Sequence, residues 1–176
     1  LLREFAALID AKAQEEKQTS KIPKIPKYGS CQNGLNKFLV PWGYACKISL
    51  GSGNLSKKPS IAFCRQDILE EGFVNGEKPT PKKGFYLWFA YYWRNDAEKF
   101  YLCIGRSIEK DGEKECQKCP AYDKIIDPNG DTYYQESYDD LESHFENITD
   151  YFLHLINEFN QIPTACFELE PSSTSH

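Results

Sequence analysis

Residues 84–107 read GFYLWFAYYWRNDAEKFYLCIGRS, and this stretch decides the fold. Two runs rich in aromatic and β-branched side chains flank the polar turn Asn95-Asp96-Ala97-Glu98. That is the pattern of a β-hairpin with a longer loop than the minimal one. Alternation puts Phe85, Leu87, Phe89, Tyr91 and Trp93 on one face and Tyr86, Trp88, Ala90 and Tyr92 on the other. Neither face reads as solvated. The strand is therefore expected to be covered on both sides or to line a cavity, with the rest of the chain packed around it and any ligand near its second face.

Working outward, residues 43–50 (GYACKISL) alternate as a strand with Tyr44, Cys46, Ile48 and Leu50 on one side. Gly51-Ser52-Gly53-Asn54 breaks it into a tight loop, and a second strand follows at 60–64 (SIAFC). The polar excursion 65–83 allows a short helix at 67–71, and 131–134 read as one more short strand. At the N-terminus, Leu1, Phe5, Leu8, Ile9 and Lys12 keep helical spacing over 1–17. At the other end, Ser137-Tyr138-Asp139-Asp140 reads as a helix start with an acid three residues on. Leu141, Phe145, Ile148, Phe152, Leu155, Ile156 and Phe159 then run to a stop at Pro163. Residues 21–36 (KIPKIPKYGSCQNGLN) read as loop or extended arm, because proline biases its neighbours towards extended backbone. Strands that follow one another without intervening helices pair antiparallel. The expected fold is α+β, a twisted, mostly antiparallel sheet with a long central hairpin, flanked by N- and C-terminal helices.

At 176 residues, 40% of them hydrophobic, the chain can bury one real core and does not ask for two. Residues 1–165 are expected to form a single domain and 166–176 a tail or the start of a linker. No run approaches the about 18 apolar residues of a membrane span, and residues 1–18 are too charged for a signal peptide. The chain has no Met, so it is expected to be a piece of a larger protein. Seven cysteines, an odd number, with three inside apolar strand patterns, suit a reducing compartment, and the expected location is cytoplasmic.

Net charge is -5, yet from Lys17 to Gln66 there are nine basic residues and no acid: Lys17, Lys21, Lys24, Lys27, Lys37, Lys47, Lys57, Lys58 and Arg65. Such asymmetry implies one electropositive surface on an acidic body. Catalytic patterns are wanting. The Gly51–Asn54 loop lacks P-loop spacing and leads into a strand, whereas a phosphate cradle needs a helix N-terminus. Cys116-x-x-Cys119 is half of a zinc site without a second half, and reads as reduced thiols in an exposed loop. Neither G-x-S-x-G nor HExxH occurs. No catalytic residue, metal or cofactor is expected. What remains is nucleic-acid binding, with lysines for phosphates and Tyr86, Trp88 and Tyr92 as aromatic candidates for bases.

The order Cys46–Asn54, Pro59-Ser60-Ile61-Ala62-Phe63, Gly84-Phe85-Tyr86, Ala90-Tyr91-Tyr92 and Phe100–Gly105 resembles the N-terminal domain of McrB, from modification-dependent restriction systems, over roughly residues 44–106. The resemblance implies a non-catalytic reader of double-stranded DNA, monomeric as a fragment. It would be fused or associated with GTPase and nuclease components, in bacterial defence. McrB extrudes 5-methylcytosine into a pocket, since a stacked base cannot display its full edge. The family's wedging aromatic falls at Ser52, its pocket tryptophan at Ser60, its pocket leucine at Ala90 and its pocket tyrosine at Tyr86. Three of these are smaller than the family's residues, so a wider pocket for a bulkier modified base and no pocket at all both stand open. Backbone contact would fall to Asn54, Lys57, Lys58, Lys21, Lys24 and Lys27. The rival readings are a reader of unmodified sites through loops, a protein-interaction module using the acidic C-terminal helix, and a nuclease domain resting on Asp96 and Glu98.

Overall fold

A computed structural model describes residues 1–70, 84–95, 97–108, 110–126 and 135–168. Its centre is a five-stranded antiparallel sheet in simple sequential order: β1 (Tyr44–Ser49), β2 (Ser60–Arg65), β3 (Phe85–Tyr91), β4 (Phe100–Arg106) and β5 (Glu136–Tyr138). The α+β expectation holds, and the central hairpin is β3–β4 with Phe85 opposite Arg106 and Tyr91 opposite Phe100.

One face of the sheet carries the main core. Tyr44, Cys46, Ile48, Ile61, Phe63, Phe85, Leu87, Phe89, Leu102 and Ile104 are all buried there. Two helices cover it. α1 (Leu2–Thr19) buries Phe5, Ala6 and Ile9, with Phe5 edge-on to Phe89 at 6.1 Å. α6 (Phe145–Asn160) buries Ile148, Leu155, Ile156 and Phe159, and its Phe152 meets Phe63 at 4.9 Å. Each fully buried aromatic of this kind is worth roughly 1.5–3 kcal/mol, so α1 is held by its apolar stripe more than by propensity.

Residues 29–36, expected as part of the loop or arm 21–36, are instead helical. α2 (Gly29–Leu39) buries Cys31, Leu35 and Leu39, one turn apart each. Its polar face grips the outer edge of β1. Gln32 donates from Nε2 to the Cys46 carbonyl (2.6 Å) and accepts the Ile48 N–H at Oε1 (2.7 Å), while Asn36 Oδ1 accepts the Cys46 N–H at 2.8 Å. A 3₁₀ turn, Val40–Trp42, follows.

The far end of the sheet gathers α3 (Gln66–Glu70), α4 (Lys110–Cys116), α5 (Tyr122–Ile125) and the 3₁₀ turn Thr164–Phe167. Cys116 and Cys119 are buried, at 0% and 3% exposure, so the expectation of an exposed thiol loop is overturned. The Cys119 thiol donates to the Phe167 carbonyl at 3.2 Å. Phe167 is fully buried against Phe85 and Phe159, so packing runs past the expected boundary at 165. Residues 137–138 belong to β5, and the C-terminal helix starts later than expected, after a turn in which Asp140 accepts the Ser143 N–H at 2.7 Å. The strand expected at 131–134 lies outside the described residues. Among the described residues no helix is long and apolar enough to cross a membrane.

Candidate nucleic-acid interface

In a sequential antiparallel sheet, alternate connections lie at the same end. The β1–β2 loop (residues 50–59) and the β3–β4 turn (92–99) therefore share one end of the molecule, with the C-terminal end of α1 beside them through the Arg94–Glu16 ion pair. The loop is shaped by glycine. Gly51 sits at φ 123°, and a Cβ there would stand 2.3 Å from the Asn54 carbonyl oxygen. The chain can thus fold back tightly enough for Ser56 N–H to reach the Leu50 carbonyl at 2.6 Å.

The lysine-proline arm lies along this loop as an extra extended segment. Lys24 bridges to Asn54 through the backbone, Leu55 N–H donates to the Pro23 carbonyl (2.9 Å), and Ile25 N–H to the Gly53 carbonyl (3.4 Å). Pro23 and Leu55 are buried, and Lys21, Lys24 and Lys27 are exposed. Lys24 Nζ also donates to Asn54 Oδ1 at 2.9 Å. Trp93, from the hairpin turn, supports the loop by donating from Nε1 to the Ser56 carbonyl at 2.7 Å. Arm and loop thus form one lobe, on whose surface Lys21, Lys24, Lys27, Ser52, Asn54, Lys57 and Lys58 are all exposed.

All eight lysines of the acid-free segment are exposed. Arg65 is not available to a partner. It is 5% exposed, donates from Nη1 to the carbonyls of Phe159 (2.7 Å) and Ile162 (2.6 Å), and clasps Asp67 with Nε and Nη2 (3.1 and 2.6 Å).

The residues expected to touch a base are distributed differently. Ser60 and Ala90 are cross-strand partners on the second face of the sheet, buried at 7% and 0%. Tyr86 shares that face but stands four residues further along β3, roughly 13 Å away at strand spacing. It is 6% exposed, and its hydroxyl donates to the Arg106 carbonyl at 3.3 Å. Ser52 is at the exposed loop tip, at the opposite end of the sheet from Tyr86. The structure therefore joins Ser60 to Ala90 and the lysines to Asn54, and keeps Tyr86 apart from both groups.

The more accessible aromatics of the second face are Trp88, Tyr92 and Tyr101, half-buried and in edge or tilted contact at 6.4 and 4.7 Å. Tyr101 was not among the sequence candidates. Its position opposite Ala90 on β4 is what would have revealed it. Its hydroxyl donates to Glu98 at 2.7 Å, and that bond pushes the phenol up to about 12, so it stays neutral in use.

Among the described residues no cluster of three or more His, Cys, Asp or Glu side chains is placed to hold a metal ion. Burial pushes the thiols of Cys46 and Cys119 up to about 12, as suits core side chains more than ligands or nucleophiles. No protein-family model matches the chain, and no curated protein matches it.

Proposed function

We propose that this chain is a DNA-recognition domain without catalysis of its own, working in the cytoplasm as the reading part of a bacterial restriction system. The observation that carries the reading is the lobe: the proline arm and the glycine loop are hydrogen-bonded into one unit that presents five lysines and Asn54, with no acid in its sequence. Lysines of this kind set position on phosphates, while the loop tip at Ser52–Asn54 is left to meet base edges. Modified cytosine, with 5-methylcytosine first, is the target class that the McrB resemblance supplies. Base flipping belongs to that same reading, although Tyr86 stands apart from the buried pair Ser60 and Ala90, as do double-stranded DNA and GTPase and nuclease components as partners.

The test is fluorescence anisotropy with matched duplexes, unmodified and 5-methylated, over a salt series. Five phosphate contacts give a log–log slope of roughly -4.5, and each lobe lysine replaced by alanine lowers it by about 0.9. Tighter binding to the modified duplex supports the modified-cytosine target. Equal binding keeps the DNA reading and drops the modification. No binding near 50 mM salt, where such contacts are strong, overturns it.

One observation favours protein contact as a second reading. Leu1, Phe38, Val40, Trp42 and Leu153 are exposed, and most of them rim an apolar groove of about 420 Å³ between α2 and α6. Exposed apolar patches of this kind mark contact surfaces. This reading places the partner on the helical side, away from the lysine lobe.

A further inference from the structure

A second feature of the basic half is a depression of about 700 Å³ between the end of the arm and the edge of the sheet, with Pro26, Lys27, Tyr28, Gln32 and Lys47 in its lining. Its volume is in the range of small-ligand sites. Lys27 and Lys47 are exposed and Tyr28 is half-buried, and no carboxylate lines it. The side-chain amide of Gln32 is spent on the backbone of β1, so the floor has no spare amide to read a hydrogen-bonding edge. Tyr28 is anchored at its root, where its carbonyl accepts the Gln32 N–H at 2.9 Å, and part of its side chain packs on the main core.

We propose that this depression is a platform for one unpaired nucleotide of a DNA strand, the base stacked on Tyr28 and the flanking phosphates on Lys27 and Lys47. The proposal rests on the DNA reading above and adds a place and a substrate form to it. A tyrosine and two exposed lysines that line one depression, with no acid in the lining, supply a stacking surface and charge for a base and its flanking phosphates. A paired base inside a duplex cannot reach the ring, so the preferred ligand has an extruded, bulged or overhanging nucleotide. Lysine rather than arginine at both flanks makes the contact tolerant of sequence. Lys27 belongs both to the arm of the lobe and to the lining of the depression, so the two are neighbours.

The experiment compares a blunt duplex with the same duplex carrying a single-nucleotide bulge, by anisotropy at several salt concentrations. The expected result is tighter binding to the bulged duplex, by roughly 5-fold or more, as one stacked base would give. Tyr28→Leu removes that preference and leaves blunt-duplex affinity unchanged, whereas Tyr28→Phe keeps it because the ring, not the hydroxyl, does the stacking. Lys47→Ala lowers the salt slope on the bulged duplex by about 0.9 and not on the blunt one. Equal affinity for the two duplexes, or a preference that survives both Tyr28→Leu and Lys47→Ala, overturns the platform while leaving the DNA reading intact. Absence of binding to either duplex overturns both.

Discussion

Replacing Arg65 by leucine separates the structural part of the basic segment from the part proposed to bind DNA. The guanidinium sits at the end of β2 and ties the C-terminal turn of α6 to the sheet through two short bonds to the Phe159 and Ile162 carbonyls. It also lies over the rings of Phe159 and Phe167, at 5.4 and 5.3 Å. A hydrogen bond from a charged donor contributes about 1.5–3 kcal/mol, so the two carbonyl contacts amount to about 3–6 kcal/mol before compensation. Asp67 adds little, since its side chain is 47% exposed and screened by solvent. Leucine regains part of the loss, because burying a guanidinium carries its own desolvation cost. The net expectation is a destabilisation of about 3–4 kcal/mol, or a fall in Tm of roughly 6–16 °C for a chain of this size. Urea unfolding followed by tryptophan fluorescence measures it, with an unchanged m-value marking a true stability effect. Arg65→Lys is expected to recover only part, because one ammonium cannot reach both carbonyls and the carboxylate. A loss below about 1 kcal/mol would refute the reasoning. So would a loss of DNA affinity, at a temperature where the variant is folded, as large as that of a lobe lysine.

Four further outcomes are expected. Gly51→Ala drives a Cβ into the Asn54 carbonyl at a φ that L-residues rarely adopt, which costs roughly 1–3 kcal/mol; urea titration reads that cost, and anisotropy reads the weakened duplex binding as the loop shifts. Gln32→Leu leaves the Ile48 N–H and the Cys46 carbonyl without their side-chain partner, a loss of about 2–3 kcal/mol, with markedly faster hydrogen exchange at the Ile48 amide as its signature. Ellman's reagent at neutral pH should find at most one fast thiol, the half-buried Cys166, and all seven after denaturation. From neutral pH these thiols leave stability level up to about pH 8.5, where an unfolded thiol begins to ionise. It should fall from there towards pH 12, because the unfolded chain releases the Cys46 and Cys119 protons first; a urea midpoint unchanged at pH 10.5 would contradict this.

What could be read in advance followed the strength of the local pattern. The hairpin, β1, β2 and the two long helices have apolar side chains at the period of their own structure, so their faces were legible residue by residue. α2 was hidden because its glycines and the preceding prolines suggest loop, and because the stripe Cys31, Leu35, Leu39 begins with a cysteine. That helix is held by bonds to β1, a tertiary cause that no local window contains. α4, α5 and the three-residue β5 are too short for periodicity to speak. Around Cys116 and Cys119 the intervening residues are polar, and only the fold reveals that both thiols turn inward. At the candidate interface, the lysine segment was visible as charge, but the pairing of Lys24 with Asn54 and the withdrawal of Arg65 depend on contacts across 30 and more residues. Tyr86 was legible as an aromatic on the second face. Its distance from Ser52 follows only from strand register.

The grip of α2 on β1 has a consequence at the scale of many molecules. A sheet with a bare outer strand can template the addition of another, and a domain concentrated along DNA would be exposed to that hazard. Here the outward N–H and carbonyl of Cys46 and the N–H of Ile48 are already occupied by Gln32 and Asn36, and the opposite margin is a strand of three residues that includes Glu136. Neighbouring copies can therefore crowd together without their sheets joining into a continuous fibre.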